Sequence, residues 1–199
     1  MTTRVRAGGI ADSTIAHSML KHDIVDSDVL ANNITIPSGN TFTSAASGGL
    51  YAPGSVIQVQ HVHFTQRHHI NTTSRTGLSG QYAVSITPKY SSSKVLVQTN
   101  INCIAGDTNT IRAILVRNPS GGSAVDVAQL GWYSTSTNWD PFNTNFCHLD
   151  SPATTSSVSY YVEWRLEQTE IYVNYANTNA GFGSSNDSRA SITVMEIAQ

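Results

Sequence analysis

The chain has 199 residues, of which only 12% are charged against about 25% in an average soluble domain, while Ser, Thr and Asn together supply 62. With 11 basic and 13 acidic residues and a formal net charge of −2, it lacks the clustered Lys and Arg that neutralise a phosphate backbone, so a nucleic-acid binder of that kind is excluded. No apolar run reaches the roughly 18 residues of a membrane span, no basic stretch with an apolar core marks a secretory signal, and two cysteines are too few for a disulfide framework.

Residues 1–52 read as an attachment arm and linker. They are short of aromatics and too poor in apolar residues to close a core alone. A weak repeat runs through them: Ile10-Ala11-Asp12-Ser13-Thr14-Ile15 returns as Ile24-Val25-Asp26-Ser27-Asp28-Val29. Asp and Ser bond nearby backbone amides and so favour turns and helix starts, with Asp12 and either Asp26 or Ser27 as candidate caps. A tail without structure and an arm ordered by partner chains both fit, and the arm is the reading adopted. Ile34-Thr35-Ile36 fits a short strand, Pro37-Ser38-Gly39-Asn40 is turn chemistry, and 44–49 is small and flexible enough for several chains to approach closely.

Residues 53–199 form the second region. Eight segments fit short strands: Val56–Gln66, Gln81–Thr87, Lys94–Asn102, Ile111–Arg117, Ala124–Leu130, Val158–Arg165, Ile171–Tyr175 and Ser191–Ile197. Val95, Val97, Thr99 and Ile101 share a face, as do Val158, Tyr160, Val162 and Trp164, with Ser159, Tyr161, Glu163 and Arg165 opposite. Ile192, Val194 and Glu196 oppose Thr193, Met195 and Ile197. Period two with Gly, Pro, Asn and Ser turns predicts an all-β fold, an antiparallel β-sandwich of jelly-roll type. Apolar parity flips between Ile57, Val59 and Val62, Phe64, which predicts a β-bulge near Gln60. Thr87-Pro88 ends one strand, Ser91-Ser92-Ser93 turns the chain, and Lys94 marks a solvent edge. The final strand is expected to close a sheet edge.

The succession Pro53-Gly54-Ser55-Val56-Ile57-Gln58-Val59-Gln60, then Ser85–Val97, then Ser191–Ile197 resembles the β-rich knob domains of tailed-phage virion proteins, especially the fibre-like proteins of marine and cyanobacterial phages. The resemblance covers about residues 53–199, and the arm looks like the variable attachment segment of such fibres. It implies a homotrimer, located in the virion and assembled in the bacterial host cytoplasm, joined to other virion proteins (tail adaptor, baseplate or capsid) through residues 1–50 and meeting a host surface glycan or protein. A capsid decoration or head-fibre protein, a carbohydrate-binding module and a glycan hydrolase are the competing expectations.

His61-Val62-His63 puts two imidazoles on one strand face, about 6.5–7 Å apart. In a trimer three such pairs could converge on the axis and hold a metal ion, as phage fibres of this architecture sometimes do; surface or interface histidines are the alternative. No other cofactor is expected. The segment from Trp132 to Phe146 reads as an aromatic loop, and Tyr133, Asn138, Trp139 and Asp140 are its candidates for binding a sugar face, since rings stack and amides bond hydroxyls. Burial of the rings in an interface is the competing reading, and Trp132 is expected to complete an apolar strand face. Asp140, Asp150, Glu163, Glu167 and Glu170 are the carboxylates from which a glycan-cleaving pair would come. No Gly-x-Ser-x-Gly or His-Glu-x-x-His motif is present, and no enzyme activity is expected. Cys103 and Cys147 are expected as buried free thiols.

Overall fold

Period two decides which side of each strand faces inward, and the buried residues follow it. The computed structural model describes residues 51–77, 82–106, 109–135, 140–168, 170–174 and 190–199. The chain divides into two units, Met1–Gly49 and Leu50–Gln199, and every described strand belongs to the second. The arm with its Asp-Ser repeat, Asn138, Trp139 and the polar loop 177–187 lie outside the described residues.

Twelve strands and no helix occur among the described residues. They are β1 (Val56–Phe64), β2 (His68–Ile70), β3 (Thr76–Gly77), β4 (Ala83–Ile86), β5 (Lys94–Gly106), β6 (Asn109–Pro119), β7 (Val125–Ser134), β8 (Asp140–Thr144), β9 (Cys147–Asp150), β10 (Val158–Leu166), β11 (Glu170–Val173) and β12 (Ala190–Ile197). All eight expected strands are found. Several of the twelve are halves of one line. β1 and β2 run along β12 and β11, β9 and β8 share one flank of β5, and β4 and β3 share one flank of β10. Counted as eight lines in chain order, one sheet runs first, eighth, third, sixth and the other second, seventh, fourth, fifth. All pairs are antiparallel. This is the double-sheet, eight-stranded jelly roll.

The core lies between the sheets. Val158, Tyr160, Val162 and Trp164 of β10 are fully buried, against Val95, Val97 and Ile101 of β5 and Ile192 and Val194 of β12. Tyr82 stacks on Phe64 with centroids 4.5 Å apart, and its hydroxyl donates to Gln66 O. Burial pushes that phenol up to about 12.

Two line breaks are sealed by single side chains. At the β8–β9 break, Thr99 Oγ1 accepts from Phe146 N at 2.9 Å and donates to Thr144 O at 2.9 Å. At the β11–β12 junction, Asn174 takes a left-handed φ of 58° and is fully buried. Its Nδ2 donates to Phe64 O and Gln66 O, both at 3.0 Å, where β1 gives way to β2, and its Oδ1 accepts from Ala190 N at 3.0 Å. Buried backbone groups left open by the breaks are thereby satisfied.

Two polar clusters tie chain segments together. Arg117 Nη1 on β6 donates to both oxygens of Asp150 on β9, at 2.9 and 3.0 Å, and Tyr160 on β10 donates to Asp150 Oδ2 at 2.8 Å. This joins one sheet to the other. Glu196 faces the core with Ile192 and Val194, as the alternation predicts. It accepts from Gln58 Nε2 at 2.6 Å, Lys89 N at 2.7 Å and Tyr90 N at 3.3 Å, pinning the turn that follows Pro88.

Four expectations are corrected. The register shift in β1 lies between Val56 and Gln58, not near Gln60; the parity flips because Val59 is exposed. β12 lies between β1 and β5, so β1, not the final strand, forms the sheet edge. Much of Trp132–Phe146 is strand, in the end of β7 and all of β8. Cys103 is buried and Cys147 is exposed, both free. Cys147 points outward opposite Gln98.

Candidate functional site

The outer face of the first sheet is built by strand register. Val59 on β1 pairs with Met195 on β12, Met195 with Leu96 on β5, and Leu96 with Leu149 on β9. One apolar ribbon thus crosses all four lines at right angles to the strands. Val59 is 50% exposed and Leu149 53%. On one flank the register aligns His61, Thr193, Gln98 and Cys147; on the other it aligns Val56, Ile197 and Lys94. Lys94 alone among these carries a fixed charge, and Ser151 Oγ takes up its Nζ at 2.7 Å. A sheet face exposed to water ordinarily alternates polar residues outward. Here apolar residues hold outward positions on four different strands. Alternation in the sequence places Met195 and Ile197 on the outer face but does not reveal the ribbon. Its one local trace is in β12, where the outer positions carry Met195 and Ile197 while an inner one holds the glutamate.

The histidines lie on this face. His61 and His63 share the exposed side of β1, as spacing requires, and His61 Nδ1 is 2.8 Å from Thr193 Oγ1. No group of three metal-ligating side chains occurs among the described residues.

The aromatic candidates sit at one end of the other sheet. Trp132 faces inward as expected, half-buried, its ring centroid 5.1 Å from that of Phe142. Tyr133 turns outward and is 68% exposed. Tyr133 and Asp140 border the same hollow of about 150 Å³, with Trp132 and Phe142 as its apolar lining. Asp140 Oδ2 accepts from Ser134 Oγ at 2.8 Å. The hollow is smaller than the roughly 300–1,000 Å³ of ordinary ligand pockets. It accepts an edge of a ring, not a whole saccharide.

Each of the five carboxylates singled out has its own partner. Asp140 takes Ser134, Asp150 takes Arg117 and Tyr160, Glu163 takes Arg75, Glu167 takes Arg112, and Glu170 lies beside His69 Nε2. The Cys103 thiol is pushed up to about 12 by burial, partly offset by Thr144 Oγ1, and is therefore protonated and unreactive at neutral pH.

No protein-family model matches the sequence, and no curated protein matches it. Solved structures with similar strand arrangements include the Eiger TNF of S. frugiperda, at 10% identity and a TM-score of 0.41 over 74% of this chain and 95% of that one. A chain of the infectious bursal disease virus Gx strain matches at 9% identity and a TM-score of 0.41, over 71% of this chain and 40% of that one. The enzymatically active domain of bacteriophage CBA120 tailspike protein 4 matches at 10% identity and 0.26, over 58% and 18%. This chain therefore spans less than half of each of the two viral chains. At these values the likenesses add nothing to the fold, which rests on the strand order above.

Proposed function

We propose that this chain is a non-enzymatic structural protein of a virus particle, a homotrimeric fibre or appendage whose jelly roll is displayed for attachment to a host surface. Residues 1–50 join it to neighbouring virion proteins, and the particle is assembled in the cytoplasm of a bacterial host. The observation that carries this reading is the ribbon Val59–Met195–Leu96–Leu149, whose two flanking rows carry one fixed charge, Lys94. Identical faces of that kind meet without like-charge repulsion. Burying what remains exposed of Val59 and Leu149 gains about 1 kcal/mol for each. The virion assignment draws on the resemblance of residues 53–199 to phage knob domains and on the eight-line strand order, so it is an analogy at the level of fold. A capsid decoration protein uses the same ribbon; a map of intact particles with this chain labelled separates the two locations. A carbohydrate-binding module is favoured by one observation, the exposed ring of Tyr133.

Assembly is tested by sedimentation equilibrium of the full chain at micromolar concentration. The expected mass is about three times 21.4 kDa. A stable monomer overturns the assembled reading and leaves the carbohydrate-binding module in its place.

A further inference from the structure

The outer face of the second sheet carries an arrangement that packing does not explain. In register, Arg165 on β10 lies directly opposite Arg112 on β6, and Arg112 opposite Gly131 on β7. Like charges directly opposite on one face destabilise a sheet. Among the described residues Arg112 has one ionic partner, Glu167 at 3.3 Å, and both of those side chains are nearly half exposed. Arg165 is exposed and has no ionic partner among the described residues. Arg75, across the same cleft, is already committed. Both its Nη atoms donate to Asp126 and its Nε to Glu163. The two carboxylates of that fork stand opposite Ile114 and Val116 in register, which with Tyr161 form a small buried cluster. Glu163 in turn lies over Gly77, where a Cβ would come within 2.8 Å of its side chain.

Arg75 and Asp126 form one wall of a cleft of about 540 Å³, which Arg112 and Arg165 also line, with Thr73, Ser74 and Gln129 supplying hydroxyl and amide groups. The volume lies within the range of ligand sites. Gly131, opposite Arg112 in register, puts no side chain beside it. Two residues further along β7, about 6.5–7 Å away, stands the exposed ring of Tyr133.

We infer that this face binds an anionic saccharide, its carboxylate or sulfate held between Arg112 and Arg165 and a sugar ring laid against Tyr133. Guanidinium groups match the planar geometry of a carboxylate and the oxygens of a sulfate. Bound anion removes the repulsion between the two arginines, so the cost of their opposition is recovered on binding. Hydroxyl and amide donors on the rim suit sugar hydroxyls. Nucleic acid does not fit, because Asp126 borders the same cleft and the chain is net acidic. The inference deepens the attachment reading and rests on it for its biological purpose, while its test stands apart from assembly.

The full chain is titrated calorimetrically at low salt with three probes: oligogalacturonate, a sulfated galactan oligosaccharide and a neutral dextran oligosaccharide. The first two show which acid group is preferred. Binding of either or both, weakened as salt is raised, is the expected result. Arg165→Gln lowers that affinity tenfold or more, and Arg112→Gln does the same. Tyr133→Ala lowers it severalfold. Because Arg165→Gln removes a like-charge contact, its melting temperature stays equal to the parent's or rises by about 1 °C. Its sedimenting mass is unchanged, so loss of binding is separable from loss of assembly. Binding of dextran as tight as of the acidic probes, no binding of either acidic probe, or parental affinity in both arginine variants overturns the inference.

Discussion

Replacing Asn174 with Ala is expected to cost about 3–5 kcal/mol and to lower the melting temperature by roughly 10 °C or more. Phe64 O and Ala190 N would each lose a buried partner, at about 1–3 kcal/mol apiece with incomplete additivity, and Gln66 O would keep the Tyr82 hydroxyl alone. Ala would also have to hold a φ of 58°, which adds about 1–2 kcal/mol. Asn174→Gly separates these contributions, since Gly accepts the left-handed backbone freely but supplies no amide. Thermal or urea unfolding of the two variants is expected to show Gly recovering only the smaller, backbone part. If Asn174→Gly matches the parent, the side chain does not seal the junction. Asn174→Asp is expected to be no better than Ala, because a carboxylate would face two carbonyl oxygens.

The second large effect belongs to Glu196. Glu196→Ala leaves the N–H groups of Lys89 and Tyr90 without their acceptor and the Gln58 amide with Thr87 O alone, and is expected to cost about 3 kcal/mol. Burial pushes this carboxyl up, but the donors from Gln58, Lys89 N and Tyr90 N outweigh it and hold the group below its ordinary value of 4.5. The sign of the pH dependence follows. Its contribution is fully present above the unfolded value and is lost as pH falls through the depressed folded value. Melting temperature measured from pH 7 to pH 2 should therefore fall less steeply on the acid side in Glu196→Gln than in the parent. A parallel acid limb in the two proteins contradicts the assignment.

Much of the strand content was legible because it is local. Period two in β5, β10 and β12, bounded by turn residues, fixes both the strand and its inner face, and even Glu196 fell on the correct side. The short strands β2, β3, β8 and β9 were not legible. They exist where long lines break, and the breaks are sealed by Asn174 and Thr99, which act across 16 to 110 residues of sequence. No window of ten residues contains that information. Likewise the alternation showed that Glu163 and Arg165 share the outward side of β10, but the register that sets Arg165 against Arg112 depends on pairing between distant strands. His61 and His63 on one face, and Trp132 inward beside Tyr133 outward, needed only the neighbouring residues and were readable. The ribbon needed the order of four strands and was not.

Assembly through the ribbon makes Leu149 the decisive position. It is half exposed on an edge strand, so a charge there is tolerated by a single sandwich, yet it forms one end of the ribbon through which copies of the chain are proposed to meet. Leu149→Asp is compared with the parent by sedimentation velocity, with circular dichroism to verify the fold. The prediction is a folded protein sedimenting as a monomer near 21.4 kDa, against about three times that for the parent. A folded Leu149→Asp protein that sediments with the parent's mass would contradict assembly through this face.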